Sequence, residues 1–478
     1  MSDTGAFDDD RYWDVIVEYA KASTDDLLIK FTATNRGPDT RTLHLLPSLW
    51  FRNTWSWGSA YDEGRWAKPR LSRLNGGVLA DHETLGRFRL SADTPPTEWI
   101  FTENETNPTI FGEHSLQGGH FKDAFHRYVV DGDRGAVRSD TGTKVAAVYI
   151  LDVPAGQEVT LKLRLTQEGE VTGGPFTDFD KVLADRLREA DEFYGEKIPR
   201  NLSKSERAVA RQAYAGLLWS EQFYHYVIPD WLSGDKNLPN SAEVRDTRIN
   251  KEWSHLFSRD ILSVPDKWEY PAFFAWDTAF HMIPMARIDP GFAKHQLLLF
   301  LREWYLHPNG QLPAFEYDLS NVNPPVHAWA CWQVYCIDGK RDLQFLERTF
   351  HKLLMNFTWW VNRKDAEGRG VFAGGFLGMD NLGVFDRSRP LPVGERLEQA
   401  DGTAWMGFYS TQMLEIALEL ALHNKAYEDV ASKFFEHFVQ IADALNNIGG
   451  RGLWDEEDGF YYDQLKWDGR TVPLKLRG

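Results

Sequence analysis

The chain has 478 residues, too many for one ordinary core, and its 42% hydrophobic and 26% charged residues are those of a globular protein with more than one domain. A net charge of −17 without a basic stripe excludes partners recognised by phosphate neutralisation, so no nucleic acid is expected. No apolar run approaches the roughly 18–20 residues that cross a bilayer, so no membrane partner is expected either.

The N-terminus, MSDTGAFDDDRYWD, is acidic and has no apolar leader core. Only two cysteines occur, Cys331 and Cys336, five apart on one expected helix. At that spacing they read as reduced thiols, and a cytoplasmic location is the expectation. There is no HExxH, paired CxxC, EF-hand loop, P-loop or GxGxxG, so no metal and no cofactor is expected. The 19 tryptophans are the informative excess. Most should fill cores, while a few could lay their faces on the C–H faces of sugars.

Residues 1–172 read as strands. KVAAVYILDV and DLLIKFTATN are rich in β-formers, and EVTLKLRLTQ alternates Val159, Leu161, Leu163 and Leu165. Turn signals such as NRGPD and NGG separate the runs. The expectation is an antiparallel β-sandwich. WFRNTWSWG, with Trp50, Trp55 and Trp57, ends one strand as an edge cluster or an aromatic lip.

Residues 173–202 read as a charged helical linker, and from 203 the period changes to that of helices. Ser203 and Glu206 have capping-box spacing, with Val209, Ala213 and Leu217 following at helical steps. Leu343, Leu346, Phe350, Leu353, Phe357 and Trp360 recur at threes and fours, as do Val430, Phe434, Phe438, Ile441 and Leu445. About seven helices follow residue 200, joined by long loops rich in Gly, Pro, Asp and Trp. The fold class expected is thus α+β and multidomain: a β-sandwich, then an (α/α)6-type helical toroid over 203–478. Seven helices fall short of six closing pairs, so the toroid is expected to be incomplete.

Several loops could carry chemistry. In YPAFFAWDTAFH (270–281), Asp277 stands near a helix start with Trp276 beside it. It reads equally well as an N-terminal carboxylate beside a core Trp and as a sugar ligand. In GGFLGMDNLGVFDRS (374–388), glycines surround Asp380, with Leu377 and Met379 alongside. A carboxyl in a partly apolar pocket is held protonated, as a general acid requires, although most loop aspartates only form turns. Asp386 beside Arg387 reads as a solvated ion pair. In EQADGTAWMGFYSTQ (398–412), Asp401 opens a helix that carries Trp405. Glu316, Asp318, Asn321 and Asn323 lie on a loop before NPPVHAW, where His327 enters a helix behind two prolines. A single His in that setting is more often structural than a ligand.

Taken together, FFAWDTAFH, NPPVHAW, GGFLGMDN, EQADGTAWM and GLWDEEDGFYYD resemble glycoside hydrolase family 63, in the family's order and over most of residues 250–465. The resemblance implies an inverting α-glycosidase acting on α-glucosidic or related bonds of an oligosaccharide or small glycoside. It maps the general acid onto Asp380. It makes Asp277 a ligand for sugar hydroxyls, with Trp276 and Phe273 as walls and Asp401, Trp405 and His327 lining the site. Phe376–Leu377–Gly378 stands where many relatives have Glu-Ser-Gly, which leaves the sugar open.

An inverting hydrolase also needs a base about 6.5–9.5 Å from the acid to activate water on the opposite face of the sugar. The resemblance places that glutamate downstream of GLWDEEDGFYYD, outside these residues, and Glu456 and Glu457 are poor substitutes. Weak or absent activity is therefore expected of these 478 residues alone. The competing expectations are a carbohydrate-binding protein without catalysis and a glycoside phosphorylase on a related toroid.

Overall fold

The structure, a computed structural model, describes residues 3, 5, 7, 11–55, 67–111, 119–171, 173–233, 253–267, 269–270, 272–315, 322–363, 371–372, 396–446 and 452–476. Two compact units divide the chain, one holding Met1–Glu196, the other Lys197–Gly234 and Leu238–Gly478.

The first unit is built on two antiparallel sheets. The larger contains β1 (Trp13–Ser23), β2 (Asp26–Asn35), β5 (Arg70–Leu74), β6 (Gly77–His82), β7 (Gly86–Ala92), β9 (Thr141–Gly142) and β11 (Glu158–Gln167). Its strand order is β1-β2-β11-β7-β6-β5-β9. The smaller holds β3 (Arg41–Leu45), β4 (Ser48–Trp50), β8 (Glu98–Thr102) and β10 (Lys144–Val153), with β10 pairing all three others. Period-two alternation decides what lies between them. Leu161 and Leu163 of β11 and Leu90 of β7 meet Phe101 of β8 and Val145, Ala147 and Tyr149 of β10 in one buried cluster. Trp50 stays exposed on β4, with the Lys144 ammonium 6.0 Å from its ring, and Trp55 donates to Glu105 at 2.8 Å. Trp57 lies outside the described residues.

The other face of the larger sheet carries a buried ion pair. Arg164 and Asp26, only 2% and 4% exposed, meet side-on, with Nε 2.8 Å from Oδ1. The same guanidinium donates to Pro175 O at 2.8 Å and to Asp178 at 2.6 Å. It thereby ties the sheet to the start of α2 (Phe179–Lys197), whose Phe179 packs on Ala20 and Leu28. A short helix, α1 (Ala124–Val130), packs Phe125 and Tyr128 on Ile100, Ala146 and Val148.

The second unit is a two-layered array of helices. One layer holds α5 (Ala275–Ile288), α7 (His327–Ile337) and α9 (Ala400–Ala421), side by side in that order, with α3 (Lys204–Trp219) beside α5. The other holds α6 (Pro290–Leu299), α8 (Leu343–Val361) and α10 (Ala426–Leu445). Chain order alternates between the layers from α5 onward. Phe434 of α10 packs edge-on against Phe350 and Phe357 of α8, with centroids at 6.0 and 4.9 Å. The helices form where the period of three and four foretells. On α8, Leu346, Phe350, Leu353, Phe357 and Trp360 are buried, and Asp342 caps the start by accepting from Phe345 N at 3.0 Å.

The Ser203–Glu206 capping box of α3 is present in both directions. Of the apolar steps read from sequence on α3, Val209 and Ala213 stay exposed and only Leu217 packs on the core, joined by Tyr214 and Leu218. Its neighbour α5 lies on that flank, so the helix is rotated relative to the stripe read from sequence. A short α4 (Ile228–Ser233) adds to the helices expected, as does a hairpin of β12 (Glu221–Val227) and β13 (Phe257–Ser263). Three further strands, β14 (Arg396–Glu398), β17 (Asp463–Trp467) and β18 (Arg470–Leu474), form a small sheet. Cys331 and Cys336 are both free thiols, the first buried in α7.

One turn sets the approach to α8. Gly310 has φ +94°, and a Cβ there would stand 2.5 Å from Met355 O. Its own carbonyl accepts from Asn356 Nδ2 at 2.9 Å. Gly310→Ala should therefore cost on the order of 1–3 kcal/mol, seen as a lower unfolding midpoint of this unit, because the left-handed backbone and the close carbonyl both resist a side chain.

Candidate active site

The helix α5 begins at Ala275, after Phe274 in extended backbone, so Trp276 and Asp277 occupy its first turn. Backbone N–H groups at that end face no intrahelical acceptor, which favours a carboxylate there. Burial acts the other way and is the larger effect: it raises the Asp277 carboxyl above its ordinary range, against a smaller lowering by its own backbone N–H. One turn on, His281 Nδ1 lies 3.1 Å from Ser263 Oγ, and burial lowers its imidazole.

A carboxyl raised by folding binds its proton more tightly in the native state, so it weakens folding at neutral pH and ceases to do so in acid. Asp277→Asn should then raise the unfolding midpoint at pH 7, with the gain shrinking as pH falls through the raised value and gone once pH is below the ordinary carboxylate range. Thermal unfolding of both forms across that range checks it.

Next to α5, the segment Val322–Val326 leads into α7. His327, 3% exposed, donates from Nε2 to Leu297 O of α6 at 2.8 Å. Burial lowers its pKa to about 4, so it is neutral at pH 7 and keeps a lone pair on Nδ1. That Nδ1 and Asn323 Oδ1 have no hydrogen-bond partner among the described residues. His327, Asn323, Pro325, Trp276, Trp360 and Tyr409 line a cavity of about 20 Å³, room for one water rather than a sugar ring. Beneath it, Tyr409 Oη donates to Asn356 Oδ1 at 3.0 Å. No motif in the sequence groups Asn323, Asn356, Trp360 and Tyr409. They meet only because α7, α8 and α9 pack together.

The third edge is the start of α9. Asp401 lies in its first turn and accepts from Gly402 N at 2.7 Å. The cap itself comes from elsewhere, since Ala400 N donates to Asp463 of β17 at 2.8 Å. The GLWDEEDGFYYD segment thus props α9. It folds as a hairpin of β15 (Trp454–Asp455) and β16 (Phe460–Tyr461), and its Leu453 packs on Ala400.

A continuous row of aromatic rings crosses this layer. Trp276 meets Phe280 edge-on at 5.8 Å, Phe280 meets Trp329 at 5.4 Å, Trp329 meets Phe408 at 6.3 Å, and Phe408 meets Trp405 at 5.7 Å. All five are partly exposed or exposed. Such rings offer flat faces, and two carboxylates, Asp277 and Asp401, stand in the first turns of the outer pair of helices in this row.

Trp276 and Asp277 lie in the first turn of α5, and Asp401 and Trp405 near the start of α9, with α7 between the two helices. Phe273 is otherwise placed. Expected as a wall, it is 1% exposed, enclosed by Phe300 and Tyr305 at 5.5 and 5.6 Å. A ring so packed is core. His327 is buried too, with one nitrogen committed to α6. Asp380, Asp386, Glu316, Asp318 and Asn321 lie outside the described residues. Glu456 and Glu457 sit exposed at the β15–β16 turn.

Residues 270–473 match the family model of the mannosylglycerate hydrolase MGH1-like glycoside hydrolase domain. Over 528 aligned positions the chain is 43% identical to the uncharacterized protein YMR196W of Saccharomyces cerevisiae. All of this chain is covered, and it spans 48% of that protein's length. Among solved structures, an uncharacterized conserved protein from Thermus thermophilus overlaps at a TM-score of 0.34 and 20% identity, over 42% of this chain and 61% of that one. The GH63 mannosylglycerate hydrolase of Thermus thermophilus, in complex with glucose, overlaps at a TM-score of 0.34 and 18% identity, over 45% of this chain and 66% of that one. The match over 270–473 supports a family 63-like assignment for this part of the chain, in accord with the family 63 motifs in its sequence.

Proposed function

We propose that the chain carries the acid side of an inverting α-glycosidase site, acting on α-glucosidic or related bonds such as that of mannosylglycerate. The observation that carries this reading is the first turn of α5, where a carboxyl raised by burial adjoins a partly exposed Trp276 inside the family-matched segment. Asp277 and Asp401 would accept hydroxyls of the sugar, and Trp276 and Trp405 would take its faces. Asp380 would protonate the leaving oxygen as the C1–O bond breaks, and water would attack from the other side. Closure of the helical layers into a full ring belongs to the same proposal.

The test is a panel of α-glucosides, α-mannosides and mannosylglycerate, with sugar release measured and the anomeric form of the first product followed by NMR. Release with inversion supports the reading. Retention of configuration, or phosphate-dependent release, would replace it. The aromatic row also suits a protein that only holds sugar. Binding of these glycosides by calorimetry, without turnover, would favour that second reading.

A further inference from the structure

The larger sheet of the first unit has seven strands and the smaller four. Strand β1 ends the order of the larger sheet and pairs with β2 alone among the described residues. Register shows which face its side chains share. Val17 stands opposite Phe31, and Phe31 opposite Leu161; Tyr19 stands opposite Ile29, and Ile29 opposite Leu163. Val15, Val17 and Tyr19 are therefore on the face that carries the sandwich core, yet at the overhanging edge they are exposed, Tyr19 to 61%. Ile16, on the opposite face, is 58% exposed.

An eleven-residue apolar edge strand is a template for another strand. The usual guards, an exposed Lys21 and an irregularity in the β1–β2 register between Lys21 and Ser23, lie only at its C-terminal end. The two acids of β1 are turned toward β2, where Asp14 meets Arg36 at 2.6 Å and Glu18 meets Lys30 at 2.9 Å. Each is paired within its own sheet, so apolar neighbours can lie across from it, but two such carboxylates set directly opposite would still repel.

We infer that this edge pairs with the same edge of a second copy, antiparallel about a two-fold axis at Val17. Antiparallel partners share a face, and a two-fold axis normal to the sheet allows only registers that set like parity opposite like. Centred on Val17, the core-side face aligns Val17 with Val17 of the second copy, Val15 with Tyr19 and Trp13 with Lys21. The other face aligns Ile16 with Glu18 and Asp14 with Ala20. No like charges meet, and Lys21 is offered an indole face. Moving the centre to Glu18 sets Glu18 against Glu18. Moving it to Ile16 sets Asp14 against Glu18. Both alternatives place like charges directly opposite, which destabilises a pair of strands. The sequence of β1 is thus self-complementary in one register and not in its neighbours.

Sedimentation velocity over a concentration series should show a monomer–dimer equilibrium. Val17→Lys, which puts two ammonium groups on the axis, should weaken the dimer by at least roughly tenfold. In a Cys336→Ser background, Val17→Cys should form a disulfide-linked dimer under mild oxidation, because facing Cα atoms lie about 4.5–5.5 Å apart, within disulfide reach. Glu18→Cys, opposite Ile16 in this register, should not. If circular dichroism finds Val17→Lys unfolded, the two cysteine variants decide. A monomer at every concentration overturns the inference. So does a dimer indifferent to Val17→Lys, which would use another surface. Slow hydrogen exchange, in a monomer, of those amides of residues 14–20 that do not bond β2 also overturns it, since another segment would then occupy the edge.

Discussion

Asp380→Asn, made in a form of the protein that turns over glycoside, is expected to lower kcat by about 10²–10⁴-fold while sugar affinity changes little. The amide keeps the shape and loses the proton that the departing oxygen needs. Two further readings separate a lost acid from a disturbed loop. A dinitrophenyl leaving group needs little protonation, so its hydrolysis should suffer far less than that of a natural glycoside. The fall in rate on the alkaline side of the pH profile, which reports loss of the acid's proton, should vanish in the variant. Equal loss on both substrates would mean that Asp380 shapes the site and does not donate. An unchanged kcat would remove it from the mechanism.

The largest stability effect is expected in the first unit. Asp26→Ala leaves the Arg164 guanidinium, 2% exposed, without its buried partner. Breaking such a pair costs about 3–5 kcal/mol, since the remaining charge has no solvent to replace what it lost. Asp178 keeps one arm of Arg164 and, being half exposed, can compensate only in part. The unit should show a clearly lower midpoint in chemical unfolding. Replacing both partners with apolar residues of similar volume should recover most of the loss, because then no charge is left stranded. Acid should act in the same direction. Arg164 holds the Asp178 carboxyl below its ordinary range, so that contribution is full above the range and is lost as pH falls through the depressed value. If Asp26→Ala were as stable as the parent, the buried pair would contribute nothing to the stability of this sheet.

Much of the framework was legible in the sequence because it is written locally. The alternation at Leu161 and Leu163 names a buried sheet face, and the spacing of Leu346, Phe350, Leu353, Phe357 and Trp360 names a buried helix face. The capping box at Ser203 depends on residues three apart and formed as read. The Trp276–Asp277 pair needed only the start of a helix behind an extended approach. Each of these signals spans a few residues, and backbone geometry alone converts it into structure.

Other assignments failed, or were out of reach, because they depend on distant segments. Phe273 reads as a wall beside Trp276, but Phe300 and Tyr305, some thirty residues on, enclose it. Val209 looks apolar-side on α3, yet the place of α5 decides which flank is covered. Asp401 looks like a cap, whereas Asp463 does the capping from across the β17 pairing.

By itself, the sequence determined the kinds and order of the elements, the two unlike halves, and the family 63-like character of residues 270–473, since periodicity, turn chemistry and ordered motifs are all properties of short stretches. Tertiary structure alone decided which side chains share a space. The aromatic row from Trp276 to Trp405 draws on three helices, and the neutral His327 owes its state to burial among packed helices, against the opposing pull of a carbonyl thirty residues away. The physical reason is burial: desolvation and packing act between groups that only the folded chain brings within contact.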